Sequence, residues 1–559
     1  MSTDFPVLLT AAEMRAADAA ATSRLGVPSI LLMENAGRGV AAIVQRELAV
    51  GPPGPVAIVC GAGSNGGDGF VIARHLARAG IAARVALTAP PSGVRGDAAV
   101  NLAALERMGG VPVTDSSGWT TEAAWRGWLA GAAVVVDAIF GTGFHGALAG
   151  VPAAAIAAMN AARGRRLAVD IPSGLDADTG RASGTVFHAD VTATMGAAKL
   201  GLYVDAEAPV GRVEVVELGV PILIDIDGGG GGAPCRLLDE VGVAARLPRP
   251  NASAHKGSRG HLLVVAGSPG KTGAAVLVGL AALRSGAGLV TVASTAPGQA
   301  ALDAKVVEVM TARYTSRGEI EPDEAVAAVT ALAERCQAIA MGPGIPTGEG
   351  MRAVVRRLAS TTARPMVLDA DALNALGTDA PALLAGAPAP RVLTPHPAEM
   401  GRLVGLSTAA VQADRLGVAR RLASAARAVV VLKGARTVIA APNGAAFVSP
   451  IACPSLATAG SGDVLCGVTG ALLAGGVEPV AAAQLAVYVH GRAGEALAPR
   501  LGDGVVAGDL PLAIAATMEA IRSGRSKSVR AAPPAPAGRA RARRPRRRSA
   551  PRSTRRARR

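Results

Sequence analysis

Aromatic residues are nearly missing: Trp, Tyr and Phe together supply 2% of 559 residues, whereas hydrophobic residues supply 50%. The cores must therefore be aliphatic. Cysteine is sparse as well. Cys60, Cys235, Cys336, Cys453 and Cys466 form no CxxC pair, which argues against a disulfide framework or a zinc site and fits small buried thiols in a reducing cytoplasm. Apolar runs are short; Ala274–Leu283 is cut by charge or glycine well before 18 residues, so no membrane span is expected. The N-terminus carries Asp4 and no basic stretch ahead of an apolar run, unlike a signal peptide. Acids are absent from the last 35 positions, where 15 Lys and Arg lie; the first 524 residues carry 42 basic against 42 acidic residues. The net charge of +15 thus describes a tail. That Arg/Pro/Ala segment, 525–559, reads as disordered, capable at most of weak, salt-sensitive, non-specific nucleic-acid contact.

What is present is glycine, 70 residues of it, with short β-branched runs alternating with Ala-rich helical stretches. This is the pattern of parallel sheets flanked by helices. Strands are predicted at Pro55–Cys60, Ala83–Thr88, Ala133–Ala138, Arg166–Asp170 and Val191–Met195. A second set is predicted at His261–Ala266, Leu289–Ser294, Ala338–Met341, Met366–Asp369, Arg391–Thr394 and Ala428–Lys433. Between the sets, 228–234 contains five consecutive glycines and reads as a linker, dividing the chain into domains at 1–227 and 235–524.

In the first half, PVAIVCGAGSNGGDGF is strand, glycine loop and helix, with Gly61, Gly63 and Gly66 in a G-x-G-x-x-G pattern. A nicotinamide dehydrogenase needs an acid at the end of the next strand to hold the ribose, and ARVALTAP has none. The loop instead carries Asn65 and Asp68. Asp137 and Asp170 end two further predicted strands, and residues past strand C-termini in a doubly wound sheet converge on one crevice. Asn65, Asp68, Asp137, Asp170 and Ser173 can therefore share a site of hard oxygen ligands suited to a non-transition cation; each acid taken singly can also be a helix N-cap.

SNGGDG, DAIFGTG and DIPSGLDADTG together resemble the NAD(P)H-hydrate epimerase family, over about Thr10 to Asp227. The resemblance implies a Rossmann-like three-layer sandwich. It implies potassium held by Asn65, Asp137 and Ser173, and substrate on Ser64, Asn65, Gly66, Gly67 and Asp68. It extends the substrate site to Gly141, Thr142, Gly143, Phe144, His145, Gly146 and Ala147, with Asp170 as acid/base. Lys199 matches a lysine frequent in the family, or is a solvated surface charge. Ser64 stands where Asn is common.

In the second half, GSPGKTG fails as a P-loop because Val265 occupies the position of its first glycine, which leaves Lys271 as an exposed loop lysine. SLATAGSGDVLCGVTG is stronger. Its glycine-rich turn opens a helix with Asp463 in the first turn, so the amides of Gly460–Gly462 can cradle a phosphoryl group while the carboxylate takes a proton. First-turn Asp is also ordinary helix-dipole chemistry. His396, between two prolines, is rigidly placed for binding or for structure. KGART, 433–437, supplies a lysine and amides for a nucleotide, or is a strand–turn–strand hairpin.

GPGIP, DADALN, LTPHPAEM, KGART and GSGD in this order resemble the ribokinase-like ADP/ATP-dependent NAD(P)H-hydrate dehydratase family, from about Cys235 to Gly524. The resemblance implies a three-layer α/β domain with Asp463 as base. It places the hydrated dinucleotide on Ala274, Gly344, His396 and Asp463, and the adenine nucleotide on Lys433, Gly434, Ala435, Arg436, Thr437 and Gly462, with Mg2+. The family's tyrosine before the GA pair is missing from SPGKTGA, and Ser461 replaces a common Thr. Both resemblances in one chain imply a cytoplasmic, homo-oligomeric enzyme that epimerises NAD(P)H hydrate and dehydrates the S form with ADP or ATP. The alternative is a small-molecule kinase with an N-terminal nucleotide-binding module.

Overall fold

Strands written as unbroken Val, Ile, Leu and Ala runs must be covered on both faces, and that is how the chain folds. A computed structural model of the protein describes residues 4–223, 233–317 and 319–525. The glycine run 228–232 and the basic segment beyond Arg525 lie outside the described residues. All eleven predicted strands are present, each within one residue at either end.

The first sheet is wholly parallel. Its spatial order is Val113–Asp115, Ala83–Leu87, Val56–Cys60, Val134–Ala138, Arg165–Val169, Val191–Met195 and Arg212–Val216. Val56, Ile58, Cys60, Val134 and Val136 face one helical layer; Ala57, Val59 and Val135 face the other. This period of two across a sheet buried on both sides makes three layers.

The second sheet has twelve strands. Seven run parallel, in the order Met310–Arg313, Leu289–Ser294, His261–Val265, Ala338–Met341, Met366–Leu368, Arg391–Leu393 and Val429–Leu432. The antiparallel strands Val438–Ala440 and Ala446–Val448 follow, then Cys235–Leu237. The last two strands come from the first half: Val7–Leu9 pairs with Cys235–Leu237, and Ala198–Lys199 pairs with Val7–Leu9. Leu262, Val264 and Ala340 face one helical layer, and Leu263, Val265 and Met341 the other. No helix among the described residues is long and apolar enough to cross a membrane.

Candidate active sites

At the C-terminal edge of the first sheet, the strand Val56–Cys60 runs through the glycine loop into the helix Ser64–Arg78. A Cβ at Gly66 would stand 1.9 Å from the Gly61 carbonyl oxygen, so only glycine lets the helix start this close to the strand. The adjoining cleft of about 690 Å³ is lined by Ser64, Asn65, Asp68, Gly141, Thr142, Gly143, Phe144, Asp170 and Lys199, with Asp18 from the N-terminal helix. Gly66 and Gly67 are buried and are not among the residues that line it. His145, Gly146 and Ala147 are exposed and do not line the cleft, and His145 lies 3.8 Å from Asp176.

Asp170 follows the strand Arg165–Val169 in a left-handed conformation, φ 70°, which is uncommon for a residue with a side chain. One of its carboxylate oxygens accepts from the Thr142 amide at 3.2 Å. The other accepts from Lys199 Nζ at 2.6 Å. Lys199 is 1% exposed, and its ammonium also donates to Thr194 Oγ1 at 3.0 Å and the Met195 carbonyl at 2.9 Å. It is therefore not a solvated surface charge: all three donors are used, which is what allows a lysine to be buried. Burial pushes the carboxyls of Asp68 and Asp18 upward, with the Asp170 charge adding to both and Lys199 opposing. One cation thus stands among three carboxyl groups.

Behind Asp170, Asp137 is fully buried and accepts from the Ser173 hydroxyl at 2.7 Å, the Ser173 amide at 2.8 Å and the Ile139 amide at 3.2 Å. Burial raises its carboxyl to about 6 against these hydrogen bonds. Both polar atoms of the buried Asn65 amide lack any hydrogen-bond partner. A Cβ at Gly141 would lie 3.6 Å from the Asn65 amide carbon and 2.8 Å from Asp170 Oδ2, so the orphaned amide stands on the Asp170 side of the cleft, and a weakly hydrated monovalent cation would answer its missing partner.

The second site lies at the C-terminal ends of the central strands of the larger sheet. Gly460, at φ 87°, turns the chain into the helix Ser461–Ala474, which is buried nearly all round. Asp463 is half-buried in its first turn; burial first, then the neighbouring Asp369, raises its carboxyl to about 6, with Lys433 opposing and Glu399 adding. Lys433 Nζ stands 2.6 Å from Asp369 and 3.8 Å from Glu399. Burial works against the Lys433 charge, but these two carboxylates outweigh it and hold the ammonium above its ordinary range. The second Asp369 oxygen, Oδ2, is buried without a partner. A Cβ at Gly462 would lie 3.2 Å from Lys433 Nζ and 3.9 Å from this oxygen, so the amides opening the helix sit directly above the pair.

His396 caps the helix Pro397–Val404: its ring accepts from the Ala398 and Glu399 amides, and Glu399 accepts from the His396 amide at 2.8 Å. Gly344 and Ala274 adjoin Lys271, which is exposed and 3.4 Å from Asp371. Lys433–Thr437 is the turn between the antiparallel strands Val429–Leu432 and Val438–Ala440, so the hairpin reading of KGART holds. The Arg436 side chain, expected on the nucleotide, is turned toward the first half instead, where it donates to the Leu202 and Asp205 carbonyls.

Sequence reasoning passed over Asp369, Glu399, Asp18 and His490. Asp369 ends a predicted strand, the same signal that marks Asp137 and Asp170. Glu399 stands three residues after His396, the spacing of a capping box. His490, buried in the middle of the helix Pro479–Leu501 and 3.2 Å from the Ser461 hydroxyl, has no local signal.

The model of the NAD(P)H-hydrate dehydratase family matches residues 262–515, and that of the YjeF-related protein N-terminus matches residues 29–201. The bifunctional NAD(P)H-hydrate repair enzyme Nnr of Moorella thermoacetica is 44% identical over 515 residues, covering 90% of this chain and 95% of that protein. Its counterpart in Salinibacter ruber is 38% identical over 507 residues, covering 88% and 92%. Among solved structures, the ADP/ATP-dependent NAD(P)H-hydrate dehydratase of Bacillus subtilis, co-crystallised with ATP/Mg2+, is 29% identical, covers 52% of this chain and 98% of its own, and has a TM-score of 0.44. With both halves matched and nine-tenths of the length aligned to a protein of the same organisation, this chain belongs to the family of bifunctional NAD(P)H-hydrate repair enzymes.

Proposed function

We propose that the first half interconverts the R and S hydrates of NADH and NADPH on Asp170 and Lys199, and that the second half dehydrates the S hydrate on Asp463 with ADP or ATP. The observation that carries this reading is the pairing, in one chain, of a carboxylate held by a buried lysine in one cleft with a carboxyl near 6 above a lysine–carboxylate pair in the other.

In the first cleft, the glycine-loop amides and the Gly141–Phe144 segment orient the substrate's phosphates and ribose, as helix N-termini and glycine loops do. Asp170 holds or moves a proton at the hydrated carbon of the nicotinamide ring. Lys199 fixes the direction of the Asp170 carboxylate. Asn65, Asp137 and Ser173 are the residues that would hold potassium, which supplies positive charge next to the substrate's phosphates.

In the second site, hydroxide is a poor leaving group and phosphate a good one. Asp463 accepts the proton of the ring hydroxyl as its oxygen attacks the terminal phosphoryl of the nucleotide, and the P–O bond to the nucleotide breaks. A C–O bond then breaks with loss of a ring proton, which releases phosphate and restores the double bond. The Gly460–Gly462 amides and Lys433 stabilise charge on the phosphoryl oxygens. Asp369, through its unpartnered oxygen, is the carboxylate that would hold magnesium, which offsets phosphate charge.

The test is recovery of 340 nm absorbance from a mixed R/S hydrate of NADH with Mg2+, K+ and ADP or ATP. Wild type recovers all of it, Asp463→Asn none, and Asp170→Asn loses the fast conversion of the R form while retaining that of the S form. No recovery with either nucleotide overturns the assignment in favour of a small-molecule kinase.

A further inference from the structure

We propose that Arg436 is a positioning residue that ties the nucleotide loop of the second half to the first half, so that nucleotide affinity depends on the segment Leu202–Asp205. This rests on the reading of Lys433–Thr437 as nucleotide-binding.

Arg436 occupies the turn in a left-handed conformation, φ 57°, with its amide bonded to the Ile451 carbonyl at 2.8 Å. From there its Nη1 donates to the Leu202 carbonyl at 2.6 Å and the Asp205 carbonyl at 2.9 Å, and its guanidinium lies over the Tyr203 ring, 5.6 Å from the centroid. A guanidinium aimed at two carbonyls and an aromatic face orients its own backbone. The opposite side of the loop is closed by Arg415. Its Nη2 donates to the Leu432 carbonyl at 3.2 Å, and its guanidinium would be 2.7 Å from a Cβ at Gly434. The loop is thus clamped between an arginine of its own half and carbonyls of the other.

The carbonyls that accept from Arg436 belong to a fixed segment. Lys199 is bonded to Asp170, the Leu200 amide donates to the Leu9 carbonyl at 2.8 Å, and Gly201 donates to Ala177 at 2.7 Å. Leu202, the first carbonyl that holds the nucleotide loop, lies three positions after Lys199, whose ammonium is in the first cleft. The left-handed backbone at Arg436 has no local compensation of the kind glycine provides, so its conformation is maintained by these contacts. The amides of Gly434 and Ala435 are then arranged before the nucleotide arrives, and the cost of ordering them is met before binding.

Full-length protein is titrated calorimetrically with Mg2+-ADP and with Mg2+-ATP. Arg436→Asn favours the same left-handed turn but lacks the reach; it raises the nucleotide Kd by about tenfold, the scale of an ordinary coupling between sites. Arg436→Lys, which reaches one carbonyl, recovers most of that loss. Arg236→Ala removes another contact between the halves, the bond to the Phe5 carbonyl, without touching the loop or the segment Leu202–Asp205, and leaves the Kd within about twofold. In dehydration assays the nucleotide KM of Arg436→Asn follows its Kd, while kcat at saturation moves far less. Wild-type affinity in Arg436→Asn, no recovery in Arg436→Lys, equal weakening by Arg236→Ala, or a loss confined to kcat overturns the proposal. Wild type that binds neither nucleotide overturns instead the assignment of the loop.

Discussion

The ammonium of Lys433 stands 2.6 Å from a carboxylate oxygen of Asp369, and the pair lies beneath Gly462 at the opening of the helix that carries Asp463. A cation, a backbone-amide cradle and a raised carboxyl are thereby stacked within one helical turn. The arrangement stabilises negative charge arriving from above and leaves Asp463 free to exchange a proton.

The pH dependence of dehydration follows from that stack. A base must be ionised, and the Asp463 carboxyl titrates at about 6. The single-turnover rate for the S hydrate should be level above pH 7 and fall roughly tenfold per pH unit below about pH 6. A profile still flat at pH 5 would show that Asp463 is not the base.

Asp463 should also cost stability. The folded state binds its proton at about 6, the unfolded chain at 3.8, so the folded state loses stability as pH rises between those values. At pH 7 the whole penalty is present. Asp463→Asn should therefore be more stable than wild type at pH 7, by about 1–2 kcal/mol after allowing for solvent screening of a half-buried group, and equal to it near pH 4. Thermal unfolding at both pH values measures this; equal midpoints at pH 7 would refute it.

Lys199→Met keeps the aliphatic stem and removes the charge. Asp170 then faces the cleft without its cation, and epimerisation should fall by about 10²-fold or more. The uncompensated carboxylate should lower stability by about 3 kcal/mol. Dehydration of pure S hydrate should survive. Equal loss of both activities would mean that the variant simply unfolds.

Asn65→Leu fills the same space without an amide oxygen. Wild type should show a higher thermal midpoint in K+ than in Li+, and faster epimerisation; Asn65→Leu should show neither difference. A K+ response preserved in the variant would remove Asn65 from the cation site.

Gly66→Ala places a methyl 1.9 Å from the Gly61 carbonyl oxygen. The backbone on both sides must shift, which should lower stability by about 3 kcal/mol, at the upper end for overpacking, and abolish epimerisation. Wild-type stability in this variant would contradict the close approach of loop and strand.

The strands that were legible were those whose pattern is local: buried β-branched runs bounded by glycine or proline, such as Val56–Cys60 and Val429–Leu432. The two-residue strand Ala198–Lys199 forms only because a distant partner offers an edge, and no window of sequence contains that partner. The same division runs through the sites. The glycine loops, the strand-end acids Asp137 and Asp170, and Asp463 in the first turn after a glycine-rich turn announce themselves by position. Lys199 does not: its burial depends on Thr194, Met195 and Asp170 converging after folding. The direction of Arg436 was equally illegible, since the carbonyls it meets lie more than 230 positions away.

The pairing of Val7–Leu9 with Cys235–Leu237 has a practical consequence for anyone dividing the protein. Expressed alone from residue 235, the second half would present Cys235–Leu237 as a bare sheet margin, an invitation to self-association. A soluble fragment would need that margin blunted with a lysine or proline, or a peptide carrying residues 5–10 supplied in trans to close it.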